Sequence, residues 1–439
     1  MRSPVFFVVA LVVGAVVFAA SRYVENQYFF FAGYVVLQFI VLATAWNILG
    51  GYCGYVNFGS AAFFALGAYA TVTIHKLYPM PIPVLMLVGG VVSGIVGFAT
   101  GYLTLRLRGA FFAIATLALA VVLQTLIINW DFVGGARGAY VIRPNSFPLL
   151  GSYIQYLFGM MLLLTVISVA GARAIERSRL GYGFATIRDD ELAAEASGVP
   201  TLRLKLIATT ISGALMGMAG APFPYYIGYV EPGTAFGLAY AVNSIAMPMI
   251  GGTTSWIGPV IGAILLGTMQ QVATVTISSA VNLLIVGILL VDFVIIAPNG
   301  IVGLVRDRRI GSTTVEPTVF VLLYVLNLLP TIFLAKQGQA AQSIGLVFWA
   351  ILFFVTYARG RMIGRVWLMV FPWIGAGLSL VPVTSETPVV STVVLWSQGV
   401  AWLAIDPPTA VLIVSLVIQV IGMIYGAALE RRTPAMTTP

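Results

Sequence analysis

Arg173-Ala-Ile-Glu-Arg-Ser-Arg-Leu-Gly-Tyr-Gly-Phe-Ala-Thr-Ile-Arg188-Asp-Asp-Glu-Leu-Ala-Ala-Glu-Ala-Ser-Gly198-Val-Pro-Thr-Leu-Arg-Leu-Lys205 is a polar stretch in a chain that is otherwise almost continuously apolar. The contrast decides the fold class. With 60% hydrophobic and 8% charged residues and a mean hydropathy of +1.02, the chain has the composition of a polytopic membrane protein and not of a soluble globule. Only helices and closed barrels satisfy every backbone polar group in lipid, and a spanning helix needs about 20 apolar residues. The apolar runs here are long and do not alternate, so the expectation is all-α.

Working outward from the polar stretch, spanning segments are predicted at 4–20, 28–48, 59–75, 81–105, 109–130, 150–172, 206–224, 238–251, 256–279 and 281–298, a core of ten. Four more follow at 317–335, 343–358, 366–383 and 408–428. The domain reading is therefore a transmembrane core over 1–310, with a cytoplasmic loop at 173–205, and a C-terminal extension over 311–439. The first run ends in Ala19-Ala20-Ser21 and resembles a secretory signal. It is read here as a retained helix.

Charge tests this count, because short cytoplasmic loops hold the Lys and Arg residues. With 173–205 in the cytoplasm and strict alternation, seventeen basic residues fall on that side, including Arg2, Arg106, Arg108, Arg306, Arg308, Arg309 and Arg431. Five fall on the other: Arg22, Lys76, Arg137, Arg143 and Lys336. The bias places both termini in the cytoplasm and makes the apolar stretch 389–404 re-entrant or interfacial. It also absorbs the formal net charge of +8, leaving no call for nucleic acid. The single cysteine, Cys53, excludes an internal disulfide, and the single histidine, His75, cannot build a metal site alone.

Two glycine-rich runs break the apolar pattern. The first is Gly50-Gly-Tyr-Cys-Gly-Tyr-Val-Asn-Phe-Gly-Ser60, the second Gly251-Gly-Thr-Thr-Ser-Trp-Ile-Gly-Pro259. Glycine weakens a helix by about 1 kcal/mol against alanine. A break at membrane depth survives only inside protein or beside a water-filled cavity, which is why interrupted segments mark transport paths. Asn57, Phe58, Gly59, Ser60, Gly251 and Gly252 are the candidate path residues; small residues packing helices closely is the competing reading. A third glycine group, Gly134-Gly-Ala-Arg-Gly138, falls in a loop on the outer side and suits either a partner contact or a solvated turn.

Within the polar stretch, Asp189 or Asp190 is positioned to cap a short helix, Glu191 adds an acid to its first turn, and Gly198 with Pro200 stops it. A helix of two to three turns is marginal by itself, so a docking surface is expected; a solvated charged face is the alternative. The candidate coupling residues are Arg188, Asp189, Asp190, Glu191, Ala193, Ala194, Glu195 and Gly198.

The arrangement Glu191-x-Ala193-Ala194-x-x-x-Gly198 is similar to the loop by which ABC importer permeases dock on their ATPase subunits. Asn47 to Ala70, Leu105-Arg-Leu-Arg-Gly-Ala-Phe-Phe-Ala113, Gly134-Gly135, Gly181 through Lys205, and Gly251-Gly252 with Trp256-x-Gly258-Pro259 follow in order. Together they resemble the branched-chain amino acid ABC transporter permease family over roughly residues 30 to 305. That resemblance implies a non-enzymatic permease subunit in a bacterial inner membrane, working by alternating access. Its implied partners are a second homologous permease, two cytoplasmic ATPases and a periplasmic or extracellular substrate-binding protein. ATP and Mg would act at the ATPases; this chain has no Gly-x-x-x-x-Gly-Lys-Ser/Thr phosphate loop and is expected to bind no cofactor or metal. The chain carries Ser60 where members commonly have His, and Pro298-Asn-Gly300 where they have Pro-Arg-Gly. Urea or short amides are therefore alternative cargo. A different class, an ion-coupled secondary transporter, would use Asp292, a candidate intramembrane acid of the costly kind usually tied to function.

Overall fold

The computed structural model describes residues 3–21, 23, 26–78, 80–104, 107, 109–142, 152–276 and 300–306. The chain divides into two compact units, Met1–Thr268 and Met269–Pro439. The predicted spans at 281–298, 317–335, 343–358, 366–383 and 408–428, the stretch 389–404, Asp292 and the domain boundary near 310 lie outside the described residues.

The first unit is helical. Its elements are α1 (Ser3–Ser21), α2 (Gln27–Asn47), α3 (Ser60–Leu77), α4 (Ile82–Thr104), α5 (Ala110–Ile128), α6 (Tyr153–Glu176), α7 (Arg179–Asp189) and α8 (Glu191–Ala196). There follow α9 (Thr201–Gly220), α10 (Phe223–Ile227), α11 (Pro232–Ala235), α12 (Leu238–Gly251) and α13 (Ile257–Thr276), which runs on past Thr268. Among the described residues, six stretches are long and apolar enough to cross a membrane: Gln27–Tyr52, Ile82–Thr104, Ala110–Ile128, Tyr153–Glu176, Thr201–Ile227 and Pro232–Gly251. In the second unit, Gly300–Arg306 is a short helix.

Close helix contact, not side-chain bulk, organises the centre of the first unit. Gly89, Gly90, Gly94 and Gly97 of α4 lie against α9, and a Cβ on Gly67 of α3 would come within 2.0 Å of the Gly217 carbonyl. Where lipid tails are as apolar as leucine, such small-residue faces let backbones approach and dispersion hold the helices together. Ser93 Oγ donates to the Phe63 carbonyl at 2.8 Å, and Gln38 Nε2 to the Ala219 carbonyl at 3.3 Å. By contrast, α5 turns Phe111, Ile114 and Leu126 outward, the arrangement of a helix facing lipid.

Two boundaries differ from expectation. Helix α6 continues through Arg173 to Glu176, and α9 begins at Thr201 and not at 206. Both ends of the polar stretch are therefore helical, because their charges find buried partners described below. The stretch also holds two helices where one was expected: α7 precedes α8, and α8, at six residues, is shorter than two full turns. The helical fold further includes a two-residue antiparallel ladder, Ala139↔Val230 and Tyr140↔Tyr229, at the end of the bundle opposite the polar stretch.

Candidate coupling site and broken-helix path

The first glycine run does not simply end α2. The helix widens into a π-helical turn, Ile48–Tyr52, then leaves helical geometry until Ser60 opens α3. Such turns are rare and concentrate at functional sites. The freed backbone groups are satisfied within protein. Tyr55 N donates to the Leu49 carbonyl at 3.2 Å, and Trp46 Nε1 donates to the Asn57 carbonyl at 2.8 Å. Asn57 Oδ1 accepts from Gly59 N at 2.7 Å, and Phe58 N donates to Thr116 Oγ1 at 3.2 Å.

The second run packs against the first. Ser244 Oγ donates to the Ala241 carbonyl at 2.8 Å, so Ser60 Oγ, 2.7 Å away, is the donor in the Ser60–Ser244 bond. Asn47 Nδ2 donates to the Ser255 carbonyl at 3.5 Å. A Cβ on Gly51 would lie 2.4 Å from the Thr253 carbonyl, so glycine is required there by proximity. Gly251 lies against Gly258, and Gly252 takes a φ of +118°. Asn57 and Ser60 are each 1% exposed, packed within the protein in this conformation.

The polar stretch is built onto the same break. In α7, Leu180, Phe184 and Ile187 recur at helical spacing and pack on Ile48, Leu49 and Tyr52. Arg188 Nη1 donates to the Gly51 carbonyl at 3.4 Å, while its pair with Asp189, 3.3 Å, is solvent-exposed and adds little. Asp190 is the N-cap of α8, accepting from Ala193 N at 3.1 Å; Gly198, at a φ of +81°, ends it. Ala194 is buried, Ala193 and Glu195 are exposed, and Glu195 Oε1 accepts from Thr201 Oγ1 at 2.8 Å.

Glu191 points inward. Lys205 Nζ lies 2.7 Å from Glu191 Oε1, with the two side chains 3% and 12% exposed. Tyr55 OH donates to Glu191 Oε2, and Lys205 Nζ donates to Tyr55 OH at 3.2 Å. A carboxylate, an ammonium and a phenol from three distant stretches thus close one buried ring of hydrogen bonds. Beside them, burial pushes the Cys53 thiol up to about 12; Lys205 works against this shift and Glu191 adds to it.

A second group sits at the end of α6. Arg173 stacks its guanidinium 3.6 Å from the Phe6 ring centroid and 5.2 Å from that of Trp256. Glu176 Oε2 accepts from Trp256 N at 2.8 Å and from Tyr52 OH at 3.4 Å, so one carboxylate holds both glycine breaks. Sequence reasoning missed Tyr55, Lys205, Glu176, Thr116 and Ser244. The available signal was charge: Lys205 between Leu204 and Leu206, and Glu176 at the end of an apolar run, each sit where solvent alone is a poor partner.

The profile of the family described as branched-chain amino acid transport system / permease component matches residues 28–294. The chain is 28% identical over 295 residues to the high-affinity branched-chain amino acid transport system permease protein LivM of Salmonella typhimurium, covering 62% of this chain and 69% of that one. To the probable branched-chain amino acid transport permease protein LivH of Methanocaldococcus jannaschii it is 25% identical over 277 residues, covering 59% and 87%. To the autoinducer 2 import system permease protein LsrC of Enterobacter sp. it is 28% identical over 198 residues, covering 44% and 56%. No solved structure matches the chain. The matched residues take in both breaks and the whole polar stretch, and on that match the chain belongs to the branched-chain amino acid transport system permease family.

Proposed function

We propose that this chain is the transmembrane permease subunit of an ATP-driven ABC importer for branched-chain or related small amino acids. It works in a bacterial cytoplasmic membrane with both termini inside, beside a second homologous permease, two ATPases at the polar stretch and an external binding protein that delivers cargo. Nucleotide binding at the ATPases draws on α8 and drives alternating access around the two breaks. ATP and Mg belong to the partners, and the permease itself performs no chemistry.

One observation carries the docking reading. Leu192 is 63% exposed and Tyr182 is 71% exposed, on the sides of α8 and α7 away from the buried Ala194, Phe184 and Ile187, so α7 and α8 keep hydrophobic side chains turned away from their own protein. The positive charge bias of the loops supports a cytoplasmic position for that face. For the cargo, support comes from the relatives named for branched-chain amino acids. The relative named for autoinducer 2 favours testing a second reading, a different small polar cargo, with urea and short amides in the panel.

The test is purification in mild detergent with the neighbouring ATPases co-expressed, followed by uptake in vesicles. Co-purification that is lost in Leu192→Asp and Tyr182→Asp, with ATP-dependent leucine uptake, supports the proposal. Uptake that needs only a proton or sodium gradient overturns it.

A further inference from the structure

We infer that Tyr55, held by Lys205 and Glu191, carries the movement of α8 into the broken segment Ile48–Gly59, with Cys53 and Gly54, just after the π-helical turn, as the hinge it works. This rests on α8 being the ATPase contact, and it adds the route by which that contact reaches the transport path.

Glu191 lies on α8, Lys205 in the second turn of α9 and Tyr55 between the two halves of the broken helix. Their contacts, 2.7 Å from Lys205 Nζ to Glu191 Oε1 and 3.2 Å from Lys205 Nζ to Tyr55 OH, are buried. Charge-assisted hydrogen bonds in a dry site are short, directional and costly to stretch. A buried ring of this kind transmits displacement, whereas the exposed Arg188–Asp189 pair yields to water. The Tyr55 ring meets Phe112 of α5 edge-on at 5.1 Å and Lys205 Nζ at 4.8 Å from its centroid, so the hydroxyl supplies the directional, hydrogen-bonded part of the link to Glu191 and Lys205.

The other side of the hinge is anchored separately. Glu176 holds Tyr52 OH and Trp256 N from the end of α6, and this carboxylate is not part of the Glu191 group. The π-helical turn ends at the Tyr52 anchor, and only Cys53 and Gly54 separate that anchor from Tyr55. Movement applied at Tyr55 against an anchor at Tyr52 acts on Cys53 and Gly54, and Gly54, at a φ of +81°, lies against Arg188. Six residues further on is Ser60, bonded to Ser244 of α12, the helix that leads into the second break. A pull on α8 therefore reaches the buried Ser60–Ser244 contact between α3 and α12.

Tyr55→Phe removes the hydroxyl and keeps the ring on Phe112. In the complete complex, ATPase co-purification and nucleotide hydrolysis stay at wild-type level while uptake falls at least about tenfold, the size of change that about 1.4 kcal/mol of lost coupling produces. Nucleotide-dependent hydrogen exchange over residues 48–59, present in wild type, disappears in Tyr55→Phe. Lys205→Arg keeps most of the uptake and Lys205→Met does not; should Lys205→Met fail to insert, Lys205→Met with Glu191→Gln gives the same loss without a stranded charge. A Tyr55→Phe complex with a wild-type ratio of uptake to hydrolysis overturns the inference, as does a proportional fall in uptake, hydrolysis and assembly, which marks a merely structural role. A wild-type chain that binds no ATPase overturns the docking reading instead, and is seen before any variant is made.

Discussion

Lys205 Nζ stands 2.7 Å from Glu191 Oε1, a contact that joins the second turn of α9 to the start of α8, fourteen residues earlier. Neither side chain is solvated enough to lose its partner cheaply. Removing one partner of such a pair costs about 3–5 kcal/mol, because the other charge stays buried alone, while removing both costs less. Lys205→Met is expected to lower detergent stability by that amount, and Lys205→Met with Glu191→Gln to recover part of it. Thermal unfolding of the four members of the cycle checks this; additive losses would refute the buried pair.

The ends of α8 rest on two devices of different kinds. Asp190→Ala removes a side-chain cap and is expected to cost about 1 kcal/mol, read as faster amide exchange at Ala193. Gly198 has open space around it, so Gly198→Ala pays only for its backbone φ of +81°, again about 1 kcal/mol. Gly198→Asn is expected to lose less than Gly198→Ala, since asparagine tolerates that conformation better.

Glycines in helices separate into those that touch backbone and those that do not. A Cβ at Gly67 meets the Gly217 carbonyl at 2.0 Å, while one at Gly171 meets nothing within 4 Å. Gly67→Ala is expected to abolish folded protein on fluorescence-detected size exclusion. Gly171→Ala is expected to be neutral or to stabilise by up to about 1 kcal/mol through helix propensity.

Cys53 supplies a pH dependence with a definite sign. Its thiol ionises at 9.0 when unperturbed and at about 12 when folded, so between these values the unfolded chain has released the proton that the folded chain keeps. Stability therefore falls as pH rises from about 9 toward about 12. Cys53→Ala is expected to show a shallower decline than wild type over that interval. The same burial predicts no maleimide labelling of the folded protein at neutral pH.

The legible part of this fold was the part that depends on length and local chemistry. Predicted segments 28–48, 81–105 and 238–251 fall on α2, α4 and α12 within a few residues, because a run must be long and apolar to cross lipid whatever surrounds it. Asp190 and Gly198 were readable for the same reason, since a cap bonds within its own turn. Among the candidate coupling residues, Glu191 turns its side chain to Lys205 and Tyr55, contacts that its local sequence does not record. Asp292 and the spans beyond α13, apart from the short helix at Gly300–Arg306, lie outside the described residues.

From the sequence alone followed a helical membrane protein, interrupted twice by glycine and carrying one charged stretch with a short capped helix, because apolar length, backbone entropy and turn chemistry are local. Tertiary structure alone decided that α6 runs on to Glu176 and α9 starts at Thr201, since those charges are stable in helices only through Trp256, Tyr52, Glu191 and Tyr55. It likewise decided that the two glycine runs meet and that the charged stretch is fastened to the first of them. Those contacts join residues far apart in the chain, and no local pattern records which distant partner will neutralise a buried charge.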